Sequence, residues 1–187
     1  MSEPQQKPGK SKQDYGTPPE FLGAVKRTFF FNEFDFDLAA HEGNKIVPAY
    51  YGRGSPLGEN ALSHKWSEIP GNLWLNPPFG EIEGWIEYAN YYTMNSKLQQ
   101  RIYVLTPAST DTVWCRKFVY LQPNCKMIFL SPRIKFLGGP KTEPYPKPLM
   151  LSVFDSGFRN PLFTAGQFHW DWREDNLTFL GPWAVGK

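Results

Sequence analysis

The residues best suited to chemistry in this sequence are Asn76, Pro77, Pro78 and Phe79, which follow the apolar run Leu73-Trp74-Leu75. Two consecutive prolines fix φ and lack amide hydrogens, so a strand ending here leaves its carbonyls to bond elsewhere. An asparagine side-chain oxygen and the Pro77 carbonyl can together accept both hydrogens of one planar amino group, and Phe79 offers a face for the attached ring. An exocyclic amine on a nucleobase has that shape. Two accepted bonds would orient its nitrogen lone pair toward an electrophilic methyl group, so the work is positioning and electrostatics. In a protein without such chemistry the same four residues are a strand ending in a Pro-Pro turn.

A corner of this kind needs a pocket for the methyl donor. Phe34, Phe36 and Leu38 alternate with Asp35, Asp37 and Ala39, the period of a strand, and the turn-rich Ala40-His41-Glu42-Gly43-Asn44 follows. An acid ending a strand before a tight loop is placed to hold a cofactor. Asp37 is the candidate for the ammonium of a methionine moiety, with Ala39 and Ala40 small enough for close backbone approach. Alternation alone equally lets either acid point to water. Only Gly43 lies in the loop, so no G-x-G phosphate cradle supports the site. Asn60 is a candidate contact for a cofactor adenine, and just as readily a helix cap.

The elements that must position these residues follow from pattern. Thr17-Pro18-Pro19-Glu20 reads as a capping box with Thr17 as N-cap and Pro18 in the first helical position. Phe21, Leu22, Val25 and Phe29 continue it as a helix to about Phe30. Ile82, Trp85, Ile86 and Ala89 predict a helix over 81–96, and Ser109 is placed to cap one carrying Val113, Trp114 and Phe118. Strands are expected at 102–105, 127–130 and, as the last clear one, 149–154. Helices alternating with buried strands predict a doubly wound α/β sheet, whose ligands sit beyond the carboxyl ends of the strands. Asp37 and Asn76 both fall at such ends.

Composition sets the bounds. At 187 residues, with 41% hydrophobic and 17% aromatic content, the chain is one domain by length. Its net charge is only +2, yet residues 126–147 hold Lys126, Arg133, Lys135, Lys141 and Lys147 against Glu143 alone, a local +4 that leaves −2 elsewhere. The long connection from Ser131 to Pro148, which carries most of these charges, is the expected DNA-contacting element, with Arg133 foremost; a solvated lysine loop is the plain alternative. Cys115 and Cys125 form no CxxC and the three histidines show no ligand spacing, which argues against a metal site and a disulfide framework. No apolar run approaches a membrane span and the start has no signal-peptide core, so a cytoplasmic setting is expected. The polar residues 1–13 read as a disordered tail.

With these residues collected, the chain resembles the phage-type DNA N-6-adenine methyltransferases of the Dam group, which depend on S-adenosylmethionine. The resemblance runs from Tyr15 to Phe154. It is carried by Thr17-Pro18-Pro19-Glu20, Phe36-Asp37-Leu38-Ala39-Ala40, Asn60-Ala61-Leu62 with Trp66, Asn76-Pro77-Pro78-Phe79, Asp111-Thr112 with Trp114, and Arg133-Ile134-Lys135-Phe136, in that order. It implies a single-domain Rossmann-like methyltransferase sheet with helices on both faces, spanning residues 14–154, and a carboxyl-terminal extension over 155–187 packed on it. It further implies that Thr17 and Pro18 line the cofactor, that Asp37 holds its methionine part, and that Asn76 to Phe79 hold a flipped adenine in double-stranded DNA, in a GATC-type site. The glycine-rich first-strand loop and the large inserted recognition domain of many amino-methyltransferases are missing. Site specificity then falls to loops such as 131–148 or to residues 155–187, where Trp170, Trp172 and Trp183 either pack or contact DNA. Two rival readings stay open on the residues: a protein glutamine amide methyltransferase, whose target is also a planar amide, and a non-enzymatic nucleic-acid-binding module. Neither an obligate protein partner nor a membrane is expected.

Overall fold

The computed structural model of the protein describes residues 15–120, 122–138, 143–157 and 166–181. Its first helix, α1, spans Pro19–Thr28, one residue later than the capping box requires. Pro18 precedes another proline, which bars it from the α region, and it sits extended at φ −65, ψ 137 as the N-cap. Thr17 therefore caps nothing, and its hydroxyl is used elsewhere. The helix buries Phe21, Ala24 and Val25 on one stripe.

Among the described residues, seven strands form one mixed sheet in the order β1-β2-β3-β5-β4-β6-β7. They are β1 (Phe36–Asp37), β2 (Gly71–Leu75), β3 (Gln100–Pro107), β4 (Cys125–Ser131), β5 (Leu149–Asp155), β6 (Gly166–Asp171) and β7 (Asn176–Gly181). The first three run parallel, β5 runs antiparallel between β3 and β4, and β6 is parallel to β4. The carboxyl ends of β1, β2, β3, β4 and β6 consequently share one edge. Strand β1 is shorter than the alternation suggested. Asp35, just before it, faces solvent and accepts the Asn72 amide at 2.7 Å, whereas Asp37 is buried.

Residues on alternate sides of these strands build two cores. On one side Leu73, Leu75, Ile102, Val104, Met127, Met150 and Phe154 pack against α2 (Ile82–Asn95) and α3 (Val113–Phe118). On the other, Trp74, Tyr103, Leu105, Ile128, Leu151 and Val153 pack with α1 and with Phe168 and Trp170. Helices thus cover both faces of an α/β sheet, as expected. The continuous apolar run of β3 and β5 is what a strand buried on both sides requires.

Two further local expectations are corrected. Helix α3 is capped by Thr112, whose hydroxyl accepts the Cys115 amide at 3.4 Å, not by Ser109; the Ser109 carbonyl instead accepts the Thr112 hydroxyl at 2.7 Å. The strand over 149–154 is not the last, because β6 and β7 follow and pair with each other in the same sheet. Their signal was present in Phe168, Trp170 and Trp172 alternating with Gln167, His169 and Asp171. A turn with Asp175 at φ 51 closes the hairpin. The tail at 1–13 and Trp183 lie outside the described residues.

Candidate active site

Asn76 is the first residue beyond β2, and the two prolines after it end the strand. Its side-chain nitrogen donates to the Tyr15 carbonyl at 3.1 Å and to the Thr17 hydroxyl at 3.4 Å. A carboxamide so held turns its oxygen away from the protein backbone that binds its nitrogen. The Pro78 carbonyl accepts the Glu81 amide at 3.2 Å at the start of α2. Among the described residues, Asn76 Oδ1 and the Pro77 carbonyl accept no hydrogen bond. Two neighbouring acceptors at the edge of the sheet are therefore unspent, the pairing a planar amine needs.

Phe79 belongs to a group of four rings. It meets Phe136 edge-on with centroids 6.2 Å apart and Tyr145 at 5.5 Å, while Tyr15 stacks on Phe136 at 5.8 Å and an interplanar angle of 18°. Nothing local in the sequence marks Tyr15, Phe136 and Tyr145 as site residues. Their neighbourhood with Phe79 arises only when the segment after β4 folds back over the Pro-Pro corner, and no local spacing signals that.

Asp37 ends β1, beside β2, and is 2% exposed. Its Oδ1 accepts the Ala39 amide at 3.3 Å and its Oδ2 the Ile46 amide at 3.2 Å. Burial pushes its carboxyl up to about 7, against the pull of those two amides. Among the described residues no lysine, arginine or histidine pairs with it. The chain wraps tightly here: the Ala40 amide donates to the Tyr51 carbonyl at 2.9 Å, and a Cβ on Gly52, at φ +135, would lie 1.7 Å from the Ala40 carbonyl oxygen. Only glycine allows that approach. A buried carboxylate with amide donors but no cationic neighbour is chemically matched to a ligand that brings a positive charge.

The remaining candidates divide. Thr17 and Pro18 are buried, Thr17 against Asn76. Ala39 contributes its amide to Asp37. Asn60 uses its side-chain oxygen to cap a 3-10 turn at Ala61–Ser63, accepting the Leu62 amide at 3.1 Å, so the capping alternative is the one built. Arg133 and Lys135 are exposed and alternate with buried Ile134 and Phe136, which drives both cations outward beyond β4. The base of this segment is held by Trp172, whose indole N–H donates to the Pro132 carbonyl at 2.7 Å. Lys141 lies outside the described residues. Among the described residues no cluster of histidine, cysteine or acids could hold a metal, and no helix is long and apolar enough to cross a membrane.

At this edge two acceptors without a donor among the described residues lie at the end of the strand paired with the one that carries the buried carboxyl. The sequence model of the DNA N-6-adenine-methyltransferase (Dam) family matches residues 5–164, and the chain belongs to that family. It is an S-adenosylmethionine-dependent methyltransferase with DNA adenine as its class of substrate. A solved structure of a predicted O-methyltransferase from Agrobacterium tumefaciens is 14% identical and covers 73% of this chain and 77% of its own, with a TM-score of 0.38. That likeness is too loose to bear on function. No curated protein matches the sequence.

Proposed function

We propose that this protein methylates the N6 amine of an adenine extruded from double-stranded DNA, with Asn76, Pro77, Pro78 and Phe79 as the catalytic corner. The observation that carries the reading is the pair of unspent acceptors, Asn76 Oδ1 and the Pro77 carbonyl, presented at the end of β2 beside the buried Asp37. A base inside the duplex cannot reach such a corner, so the target must leave the stack.

Each residue then has a role set by its chemistry. Asn76 and Pro77 accept the two amine hydrogens, which fixes the plane of the amino group and raises electron density on its nitrogen. Phe79 packs against the purine. Asp37, near neutrality by burial, is the group to hold the donor's ammonium, and the Ala39 amide keeps the carboxylate in place. Pro18 is assigned to the lining of the donor pocket, next to Thr17, which bonds Asn76. S-adenosylmethionine supplies a methyl group on a sulfonium, electrophilic enough to need no protein nucleophile. Cys115 and Cys125 are buried, consistent with chemistry that uses neither. The amine nitrogen would gain the methyl as its C–S bond to the sulfonium breaks, the electron pair staying on sulfur as a neutral thioether, and would afterwards lose one proton to solvent, because neither oxygen acceptor is a base. Arg133, Lys135 and Lys141 are assigned to backbone phosphates, which position the duplex without reading its sequence.

The test is methyl transfer from labelled S-adenosylmethionine to duplex DNA, a GATC-containing duplex first, with N6-methyladenine identified by mass spectrometry. Asn76→Ala is expected to abolish transfer while donor affinity stays within about twofold, the pattern of a lost transition-state contact. An active Asn76→Ala protein, or label found only on a peptide glutamine, rejects the assignment.

A further inference from the structure

The two ends of an asparagine carboxamide are similar in shape and opposite in chemistry: the oxygen accepts, the nitrogen donates. Rotated by half a turn, Asn76 would direct N–H groups at an amine that also donates, and the corner would repel its target. Something must therefore set the rotation. We propose that Tyr15, Gly16 and Thr17 form a strap that fixes the orientation of the Asn76 carboxamide and ties it to the basic segment at residues 133–137, which makes Thr17 a positioning residue for methyl transfer. The inference rests on the reading of Asn76 as the amine acceptor.

Both acceptors for the Asn76 nitrogen come from the strap, the Tyr15 carbonyl at 3.1 Å and the Thr17 hydroxyl at 3.4 Å. Thr17 is 5% exposed, so water does not compete for that hydroxyl. It caps no helix, which removes the ordinary reason for a threonine before Pro-Pro-Glu. Losing it would leave the carboxamide with a single anchor and more freedom to rotate.

The strap is in turn held by the basic segment. Gly16 and Leu137 exchange both backbone hydrogen bonds, N–H to carbonyl at 3.0 and 2.8 Å, as an isolated antiparallel bridge. A Cβ on Gly16 would lie 3.3 Å from the Leu137 Cβ, so the two backbones approach this closely because residue 16 has no side chain. Tyr15 stacks on Phe136, which also touches Phe79. The exposed Arg133 and Lys135 belong to the same short segment. Its seating on a duplex is thereby connected, through one bridge and one ring stack, to the side chain that receives the target.

The experiment compares single-turnover methyl transfer by the full-length protein with its Thr17→Val, Thr17→Ser and Gly16→Ala variants, with donor affinity measured separately. Thr17→Val is expected to slow transfer at least about tenfold with donor affinity within about twofold, as for a misplaced catalytic group. Thr17→Ser keeps the hydroxyl and should return the rate to within about threefold of the parent, which a purely steric role would not produce. Gly16→Ala would press a Cβ against the Leu137 Cβ at 3.3 Å and shift the bridge by a few tenths of an ångström, so it should slow transfer by a smaller factor than Thr17→Val, and it asks the question independently if Thr17→Val unfolds. Parental rates in both Thr17→Val and Gly16→Ala overturn the inference, as does a loss of donor affinity equal to the loss of rate. Asn76→Ala assayed alongside separates the two levels: an active Asn76→Ala protein defeats the reading of the corner, while an inactive one beside parental strap variants defeats the strap alone.

Discussion

Asp37 shows what a single buried charge can report. Its ordinary carboxyl value of 3.8 rises to about 7 in the folded protein. Between those values the folded state binds more protons than the unfolded chain, so this residue's contribution to stability is fully present below 3.8 and is lost as pH climbs toward about 7. Substituting Asp37→Asn should flatten that stretch of the stability curve, and urea midpoints measured across the window would show it. A cationic donor reverses the preference, because an ammonium favours the charged carboxylate. Affinity for S-adenosylmethionine should accordingly fall as pH drops below about 7, by at most about tenfold per pH unit. A donor affinity that does not change with pH would remove Asp37 from the contact.

At the level of elements, the segment after β4 combines an inward apolar side with an outward basic one. Ile134 and Phe136 are buried, and the Ile134 carbonyl accepts the Tyr145 amide at 2.8 Å, which brings the far end of the connection back toward its beginning. Arg133→Ala should weaken DNA binding and reduce the slope of log affinity against log salt by about one, as for one lost phosphate contact. Parallel salt plots for mutant and parent would exclude Arg133 from the interface. Much of this level was legible beforehand. Helix α2 and the strands leading to Asn76 and Asp37 announce themselves by periodicity and by the Pro-Pro stop, because those signals are local. The role of Thr17 was not legible, since Thr-Pro-Pro-Glu has the letters of a capping box. Its real partner, Asn76, lies 59 residues away. The ring group around Phe79 was hidden for the same reason.

For the molecule as a whole, residues 166–181 are part of the sheet, and α1 depends on them. Trp170 on β6 is fully buried, with its ring 5.7 Å from Phe21 and 6.3 Å from Phe29 of the α1 region. Removing that ring by Trp170→Ala should cost about 3–5 kcal/mol, measurable by denaturant unfolding. Trp170→Phe should cost much less, because the indole N–H has no hydrogen-bond partner among the described residues and its loss relieves a buried unsatisfied donor. Equal, small effects for both variants would mean that β6 is peripheral to stability. The missed hairpin is instructive here. Strand β6 alternates regularly and β7 does not, and the pair follows residues without a clear pattern and holds no apolar run as strong as that of β5.

The place of β5 in the sheet has a consequence for how the protein is made. It comes after β4 in the chain yet lies between β3 and β4, and the other neighbour of β4 is β6, which comes later still. As the polypeptide leaves the ribosome, β4 thus has nothing to zip onto until residue 155 has emerged, whereas β1, β2, β3 and α2 can already associate. The nascent protein should pass through a half-built stage in which the Pro-Pro corner exists but the segment that covers it is still unmoored, until β5 and β6 pair on either side of β4.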